Sequence, residues 1–228
     1  MAGNKYFEDI SNNLSLKDKV YNAIKTQIIR GNLQPGQRLA EEEISKEMNI
    51  SRAPIREALN KLEKEGFIKI FPRKGTIVSP ITKNDIYNIW EMRKILEPYA
   101  AKKSINKFQK EELNSIENQI SEVLSNPSDF ARYMDSDLKL HELLYKYLTN
   151  HLLKDTLTMV KEHSLRLRYY AEKKSSTPEG VIIQNCKEHL EIVKALKAGE
   201  EEIVYNTVLM HVLNGAKRTM EALNEDII

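Results

Sequence analysis

Residues 51–79 read SRAPIREALNKLEKEGFIKIFPRKGTIVS, and this stretch decides the first part of the fold. Ser51 is a suitable N-cap residue, so a helix is predicted to begin there. Gly66 is predicted to end that helix. Two short runs rich in β-forming residues then follow, at 67–71 and 75–79. The stretch therefore predicts a helix followed by a β-hairpin.

The residues before this stretch predict two further helices. Apolar residues recur at helical spacing over 15–30, and Gly31 is expected to end the first helix. Pro35-Gly36 predicts a turn. A second, short helix is predicted over 40–48 from the apolar residues that recur every four positions. Three helices followed by a hairpin with a basic tip are typical of a winged helix-turn-helix.

The rest of the chain carries helical periodicity almost to its C-terminus. Helices are predicted over 82–105, 109–125, 128–149, 151–174, 178–198 and 200–223. Pro98 is expected to kink or split the first of these. Because the connections are short, neighbouring helices should pack antiparallel. The fold class is therefore mainly α, with a winged helix-turn-helix over 1–80 and an all-helical antiparallel bundle over 81–228.

Composition excludes several classes of protein. Hydrophobic residues make up 41% and charged residues 30% of the 228 residues, which favours a globular chain with a packed core. No apolar run of about 18 residues occurs, and the N-terminus lacks a secretory pattern, so we expect a cytoplasmic protein with no membrane partner. The single cysteine, Cys186, excludes an internal disulfide and a Cys-rich zinc finger. A metal would have to be held by His and carboxylate side chains.

Small and basic side chains at the start of the third helix and at the hairpin tip are candidates for DNA contact. A helix N-terminus in the major groove meets phosphates and base-edge acceptors, which such side chains can approach. The candidates are Arg38, Ser51, Arg52, Ala53, Pro54, Arg56, Arg73, Lys74 and Gly75. Residues 1–80 hold 14 basic and 10 acidic residues, which permits this interpretation. Solvated surface charges remain the alternative for any single arginine.

Asp137 and His141 lie four residues apart, so one helix can direct both side chains to one point. His189 and His211 fall on two later predicted helices, with apolar neighbours that place both on buried faces. One Asp and three His from three helices would suit Zn, Ni, Mn or Fe. A buried histidine is also often a hydrogen-bonded core residue. The residues alone leave both interpretations open.

The stretch PGQRLAEEEISKEMNISRAPIREALNKLEKEGFIKIFPRKGTIVS, residues 35–79, resembles the winged helix-turn-helix of GntR-type bacterial transcription regulators. The helical remainder resembles the FCD effector domain of the FadR subfamily. The segment Ser51–Leu59 carries the most specific likeness. The resemblance implies operator binding through Ser51, Arg52, Ala53, Pro54, Arg56 and the wing. Ala53 stands where many relatives have threonine, which leaves the operator sequence open.

The resemblance also bears on the C-terminal half. Metal-binding FCD domains use an Asp-x3-His pair and two later histidines, which implies that Asp137, His141, His189 and His211 hold a divalent metal such as Zn or Ni. Four protein ligands leave a coordination position open for a small organic acid. Arg93 resembles a family position that faces the pocket and could pair with that acid. An ion pair between Arg93 and Glu97, one helical turn away, is the alternative.

Three functions are therefore compared. The first is a ligand-responsive repressor or activator that binds operator DNA as a homodimer. The second is a metal-dependent hydrolase, with Glu142 or Glu188 proposed as the base. Each of these glutamates is adjacent to a predicted ligand in the sequence, so helical geometry is expected to point it to a different face. The third is a sensor whose signal is the metal ion itself.

Overall fold

The computed structural model describes residues 14–174 and 177–223. The remaining positions of the two predicted domains, 1–13, 175–176 and 224–228, lie outside the described residues. Contacts divide the described chain into two compact units. One unit contains the residues up to Thr82 together with Leu165–Lys173. The other contains Lys83–Ser164 and the residues from Lys174 onward.

The first unit contains the predicted winged helix-turn-helix. Its elements are α1 (Leu16–Ile29), β1 (Arg38–Leu39), α2 (Glu41–Met48), α3 (Arg52–Lys64), β2 (Ile68–Phe71) and β3 (Gly75–Val78). The three strands form an antiparallel sheet in the order β1-β3-β2. Strand β1 was not predicted from the sequence. Its two residues are too few to show a periodicity, and its strand character arises from pairing with β3.

An apolar core joins the helices and the hairpin of this unit. Residues of α1 and α3 that recur at helical spacing are buried together, among them Val20, Ile24, Ile55, Leu59 and Leu62. Ser15 caps α1, because its hydroxyl accepts a hydrogen bond from the backbone N–H of Asp18. Ser51 occupies the N-cap position of α3 as predicted, but its side chain makes no capping hydrogen bond.

A small polar network also ties α1 to the end of α3. The Tyr21 hydroxyl donates to the carboxylate of Glu65 at 2.7 Å and accepts from the ammonium group of Lys25 at 2.6 Å. Lys25 also donates to Glu65 at 2.8 Å. Burial raises the pKa of Tyr21 to about 12. Burial therefore favours the protonated phenol, and the Lys25 charge only partly opposes it.

The rest of the described chain is helical. The helices are α4 (Lys83–Ser104), α5 (Lys110–Ser125), α6 (Phe130–Lys146), α7 (His151–Lys174), α8 (Glu179–Ala198) and α9 (Glu201–Leu223), with a short 3-10 turn at Ile105–Lys107. Within the second unit α4 packs along α9 and α6, and α8 packs along α5 and α9. None of the described helices combines the length and the apolar character that crossing a membrane requires.

Helix α4 runs without interruption through Pro98, so the proline does not split the helix. Pro98 is buried, as are Arg93 and Glu97 on the same helix. Tertiary packing therefore outweighs the local preference of proline to interrupt a helix. The consequence for the site is that Arg93 and Glu97 remain one helical turn apart and can contact each other.

Candidate metal centre and nucleic-acid interface

Three histidines from three helices meet inside the second unit. His141 lies on α6, His189 on α8 and His211 on α9, and all three are buried. One ring nitrogen of each lies within 4.8 Å of the ring nitrogens of the other two. Buried imidazoles this close together can hold one metal ion among them.

The carboxylate of Asp137 lies beside two of these histidines. It is 2% exposed, and its Oδ1 atom lies 3.7 Å from Nε2 of His141 and 3.5 Å from Nε2 of His189. The Nε2 atoms of His141 and His211 are 3.3 Å apart. Ligands bound at about 2.0 Å to a tetrahedral ion are separated by about 3.3 Å, so these distances fit ligands of one metal ion. The donor set, nitrogen with one oxygen, suits Zn or another borderline divalent ion.

Local helix geometry explains why the four side chains converge. Asp137 and His141 are one turn apart on α6, so they share a face. His189 lies on the buried face of α8 with Ile192 and Val193. The structure thus brings together all four residues that the sequence proposes as ligands.

Two further carboxylates lie against the Nδ1 atoms of two of these histidines. Nδ1 of His141 lies 3.0 Å from Oε2 of Glu97, and Nδ1 of His211 lies 2.9 Å from Oε2 of Glu188. A carboxylate on Nδ1 keeps the proton there and leaves Nε2 free to bind a metal. This arrangement is common around protein metal ions.

The sequence-based placement of Glu188 was wrong. Its carboxylate does not point away from the site but contacts His211, because α9 packs against α8 and brings the ring to it. Glu142 does point elsewhere and pairs with Lys161 at 2.6 Å. The sequence named Glu97 only as a partner for Arg93 and Glu188 only as a possible hydrolase base, so their contacts with the histidines were missed. The signal available for Glu97 was its position one helical turn from Arg93 on α4.

Arg93 makes the ion pair with Glu97 and also lies beside the histidine group. It is 1% exposed, and its Nε donates to Oε1 of Glu97 at 2.6 Å. Its Nη1 donates to the Ser164 hydroxyl at 3.2 Å. Its Nη2 lies 3.4 Å from Nε2 of His141. Arg93 is therefore paired with Glu97 and also faces the histidine group.

Burial and hydrogen bonding set the protonation states around the site. Burial lowers the pKa of His211 to about 4, so its ring is neutral at pH 7, the form that ligates metals. Burial opposes ionisation of Glu97, but the Arg93 charge outweighs it with help from His141 and holds the Glu97 pKa well below its usual range. Hydrogen bonds from His211 and Arg218 likewise hold the pKa of Glu188 low against the effect of burial.

In the first unit, the start of α3 presents small and basic side chains to solvent. Arg52, Ala53 and Arg56 are exposed there. Arg56 pairs with Glu41 at 2.8 Å, and Arg52 lies 3.5 Å from Glu42. Exposed ion pairs of this kind contribute little free energy, so a phosphate can replace the glutamates.

The hairpin brings Arg38 close to the wing. Arg38 of β1 pairs with Ile77 of β3, and its guanidinium lies along Gly75. A Cβ atom at Gly75 would lie 3.4 Å from Nε of Arg38. Arg73 and Lys74 are exposed at the tip, where Arg73 adopts a φ of 63°. Strand β1 therefore adds Arg38 to the basic residues of the wing.

Residues 16–78 match the family described as bacterial regulatory proteins, gntR family, and residues 88–214 match the FCD domain. The chain belongs to the GntR family. It is a transcription regulator with an FCD domain and not an enzyme, so the hydrolase interpretation is overturned.

Similar proteins agree with this assignment. The uncharacterized HTH-type transcriptional regulator YdhC of Bacillus subtilis is 30% identical, over 90% of this chain and 91% of its own length. The HTH-type transcriptional repressor RspR of Escherichia coli is 25% identical, over 86% of each chain. The structure of McbR/YncC from E. coli superimposes with a TM-score of 0.78 at 18% identity and covers 91% of this chain and 98% of the other, which shows a shared fold.

Proposed function

We propose that this GntR-family regulator acts as a cytoplasmic homodimer that binds operator DNA and responds to a small organic acid at a metal centre. The N-terminal residues proposed for DNA contact are Arg38, Ser51, Arg52, Ala53, Pro54, Arg56, Arg73, Lys74 and Gly75. The metal ligands are Asp137, His141, His189 and His211, and the metal is a divalent ion such as Zn or Ni. Arg93 is proposed to bind the acid.

The observation that carries the proposal is the convergence of one ring nitrogen from each of three histidines inside the bundle, with a carboxylate oxygen of Asp137 beside two of them. Without an ion, this group places three imidazoles and an aspartate in a space that water barely reaches. Burying so many polar groups costs free energy unless they are paired or coordinate a metal. Glu97 and Glu188 already lie against Nδ1 of two of these rings, which leaves their Nε2 atoms for an ion.

The position of Arg93 supports an acid as the effector. A bound metal supplies a Lewis-acidic position that a carboxylate oxygen can occupy. Arg93 Nη2 lies 3.4 Å from the His141 nitrogen that faces the other ligands. A carboxylate near the ion would therefore be within reach of the guanidinium, and the acid would compete with Glu97 for it.

Metal content tests the centre directly. Purified full-length protein is loaded with Zn²⁺, freed of unbound ion and measured by native mass spectrometry and elemental analysis. We expect about one zinc per chain in the wild type and none in His189→Ala. His151→Ala is the control, because His151 is exposed and lies outside the histidine group. A wild type that retains no zinc or nickel would contradict the metal centre.

DNA binding tests the regulator itself and distinguishes its signal. Fluorescence anisotropy with fragments from the protein's own genomic neighbourhood is measured at low salt, with and without zinc, and with a panel of small carboxylates. A response to one carboxylate that is lost in Arg93→Lys supports the organic-acid sensor. An affinity that follows zinc alone identifies the metal as the signal. Failure to bind any of these fragments would sink the proposal.

A further inference from the structure

A second hydrogen-bond network behind the proposed ligands surrounds Glu188. Its carboxylate receives hydrogen bonds from three side chains of α9. Arg218 donates through Nη1 to Oε1 at 2.8 Å and through Nη2 to Oε2 at 2.9 Å. Asn214 donates to Oε1 at 3.1 Å. Oε2 also lies 2.9 Å from Nδ1 of His211. Both oxygens are therefore fixed in place.

The network extends from Arg218 to a third helix. Asn185 of α8 accepts a hydrogen bond from Nη2 of Arg218. The Asn185 amide in turn donates to the hydroxyl of Tyr133 on α6 at 2.9 Å. Arg218 is thus held from two sides, by Glu188 and by Asn185. A bidentate contact between arginine and carboxylate also fixes the plane of the carboxylate, which sets the direction in which Oε2 faces His211.

We propose that Glu188 is a positioning residue that, clamped by Arg218, fixes the tautomer and orientation of His211 so that its Nε2 faces the metal ion. The inference deepens the proposed function and rests on it for the metal. Oε2 can only accept a hydrogen bond from His211, so the ring proton is kept on Nδ1. Nε2 then carries the lone pair that a metal needs.

The substitution Glu188→Gln tests this positioning role, because it replaces one of the two acceptor oxygens of the side chain with an NH₂ donor. A glutamine has one oxygen. Two donors meet at the Oε2 position, from Arg218 and His211, whereas three meet at the Oε1 position, from Arg218, Asn214 and Gln184. The glutamine oxygen is therefore expected at the Oε1 position, with its NH₂ group facing His211. His211 Nδ1 must then accept, and the ring proton moves to Nε2, the atom that binds the metal.

Two measurements follow this change in full-length protein. The first is the set of ¹⁵N chemical shifts of the His211 ring in metal-free protein, which report the tautomer. The second is Zn²⁺ affinity by competition with a chromophoric chelator. In Glu188→Gln we expect the Nε2–H tautomer and a zinc affinity about 10- to 100-fold weaker, the usual effect of losing a carboxylate behind a ligand.

Glu142→Gln is the matched control. Glu142 is also adjacent to a proposed ligand in the sequence, but it pairs with Lys161 and its side chain is 46% exposed. A second variant, Arg218→Gln, removes the clamp on Glu188, and Lys217→Gln is its control. Lys217 is the exposed neighbour of Arg218, and its described ion pair is with Glu221. We expect wild-type tautomer and affinity in both controls.

A double variant shows whether Arg218 acts through Glu188. Arg218→Gln alone should weaken zinc binding less than Glu188→Gln, and it should add little when Glu188 is already glutamine. Additive losses would contradict the clamp. An unchanged His211 tautomer in Glu188→Gln, or an equal loss in Glu142→Gln, would overturn the proposal.

The two inferences can fail separately. If the wild type binds no zinc, the proposed metal centre fails. The tautomer of His211 in metal-free Glu188→Gln still decides whether Glu188 orients the ring. If zinc binds but the tautomer does not change, the metal centre stands and the positioning role is wrong.

Discussion

At the scale of single residues, Gly215 determines how closely α9 approaches α4. A Cβ atom there would lie 2.7 Å from Cη2 of Trp90 and 3.0 Å from Cζ3. The Trp90 ring in turn supports Arg93, whose guanidinium carbon lies 4.4 Å from the ring centroid. Gly215→Ala should therefore lower the free energy of unfolding by about 1–3 kcal/mol, the usual cost of overpacking, as measured by urea denaturation.

Gly180→Ala is the control for this prediction. Gly180 is also within a helix, but a Cβ atom there meets nothing within 4 Å. Alanine has the higher helix propensity, so this substitution should leave stability unchanged or raise it by up to about 1 kcal/mol. Equal stabilities of the two variants would show that α4 and α9 can separate without cost.

Tyr21 predicts a pH dependence of stability. Its pKa is raised to about 12 by burial, from an ordinary value near 10. A group with a raised folded pKa contributes stability below its unfolded pKa and loses it as the pH rises through the folded pKa. Compared with Tyr21→Phe, the wild type should be more stable by about 1 kcal/mol at pH 8, the net value of a hydrogen bond.

That difference should shrink as the pH rises above 10. Urea denaturation of both proteins from pH 8 to pH 11 measures it, and the comparison cancels the ionisation of the other tyrosines. A difference that stays constant over this range would mean that Tyr21 ionises equally in the folded and unfolded chains.

At the scale of helices and strands, the sequence predicts most elements to within a few residues. The capping residues and apolar spacing that predict a helix over 15–30 also produce α1, Leu16–Ile29. These signals lie within a few residues of each other, so they can be recognised in the sequence. Strand β1 and the continuity of α4 through Pro98 depend on contacts with residues distant in the chain. Such contacts cannot be recognised from the local sequence.

The same distinction explains which site residues could be found. The spacing of Asp137 and His141 is a local signal, and their convergence follows from one helix. The contact of Glu188 with His211 requires knowing how α8 and α9 face each other. Glu188 and His189 are neighbours on α8, yet Glu188 contacts His211 of α9 while His189 lies near Asp137 of α6. Reasoning from one helix alone therefore placed Glu188 wrongly.

The wing gives a prediction at this scale. Gly75 has a φ of 102°, where a side chain is strained, and a Cβ atom there would touch the Arg38 guanidinium at 3.4 Å. Gly75→Ala should therefore strain the hairpin beside Arg38, with weaker DNA binding and unchanged zinc binding. Gly36→Ala is the matched control, because Gly36 has a φ of 81° but no atom within 4 Å of an added Cβ.

Anisotropy titrations of one DNA fragment measure both variants. Each should lose some stability from backbone strain, of the order of 1 kcal/mol. If the two lose the same DNA affinity, the contact of Arg38 with the wing contributes nothing to DNA binding.

At the scale of the whole molecule, a metal that binds only the folded chain raises its stability by mass action. Zinc at about 100 times its dissociation constant should add about 2.7 kcal/mol to the free energy of unfolding. His189→Ala should show no such gain, and chelation should return the wild type to its metal-free stability. Calorimetry with and without zinc checks this. A gain of equal size in His189→Ala would place the bound zinc elsewhere.

The proposed dimer makes a prediction about the length of DNA that is bound. One α3 N-terminus and one wing contact only a short stretch of base pairs, so a single unit gives weak, mostly electrostatic binding. Two units joined in a dimer bind the second half-site as an intramolecular step, which adds about 10²–10⁴ in affinity. We therefore expect a fragment with two inverted half-sites to bind two chains, and either half-site alone to bind far more weakly. Sedimentation of the complexes measures the stoichiometry, and equal affinities with one chain on each fragment would contradict the dimer.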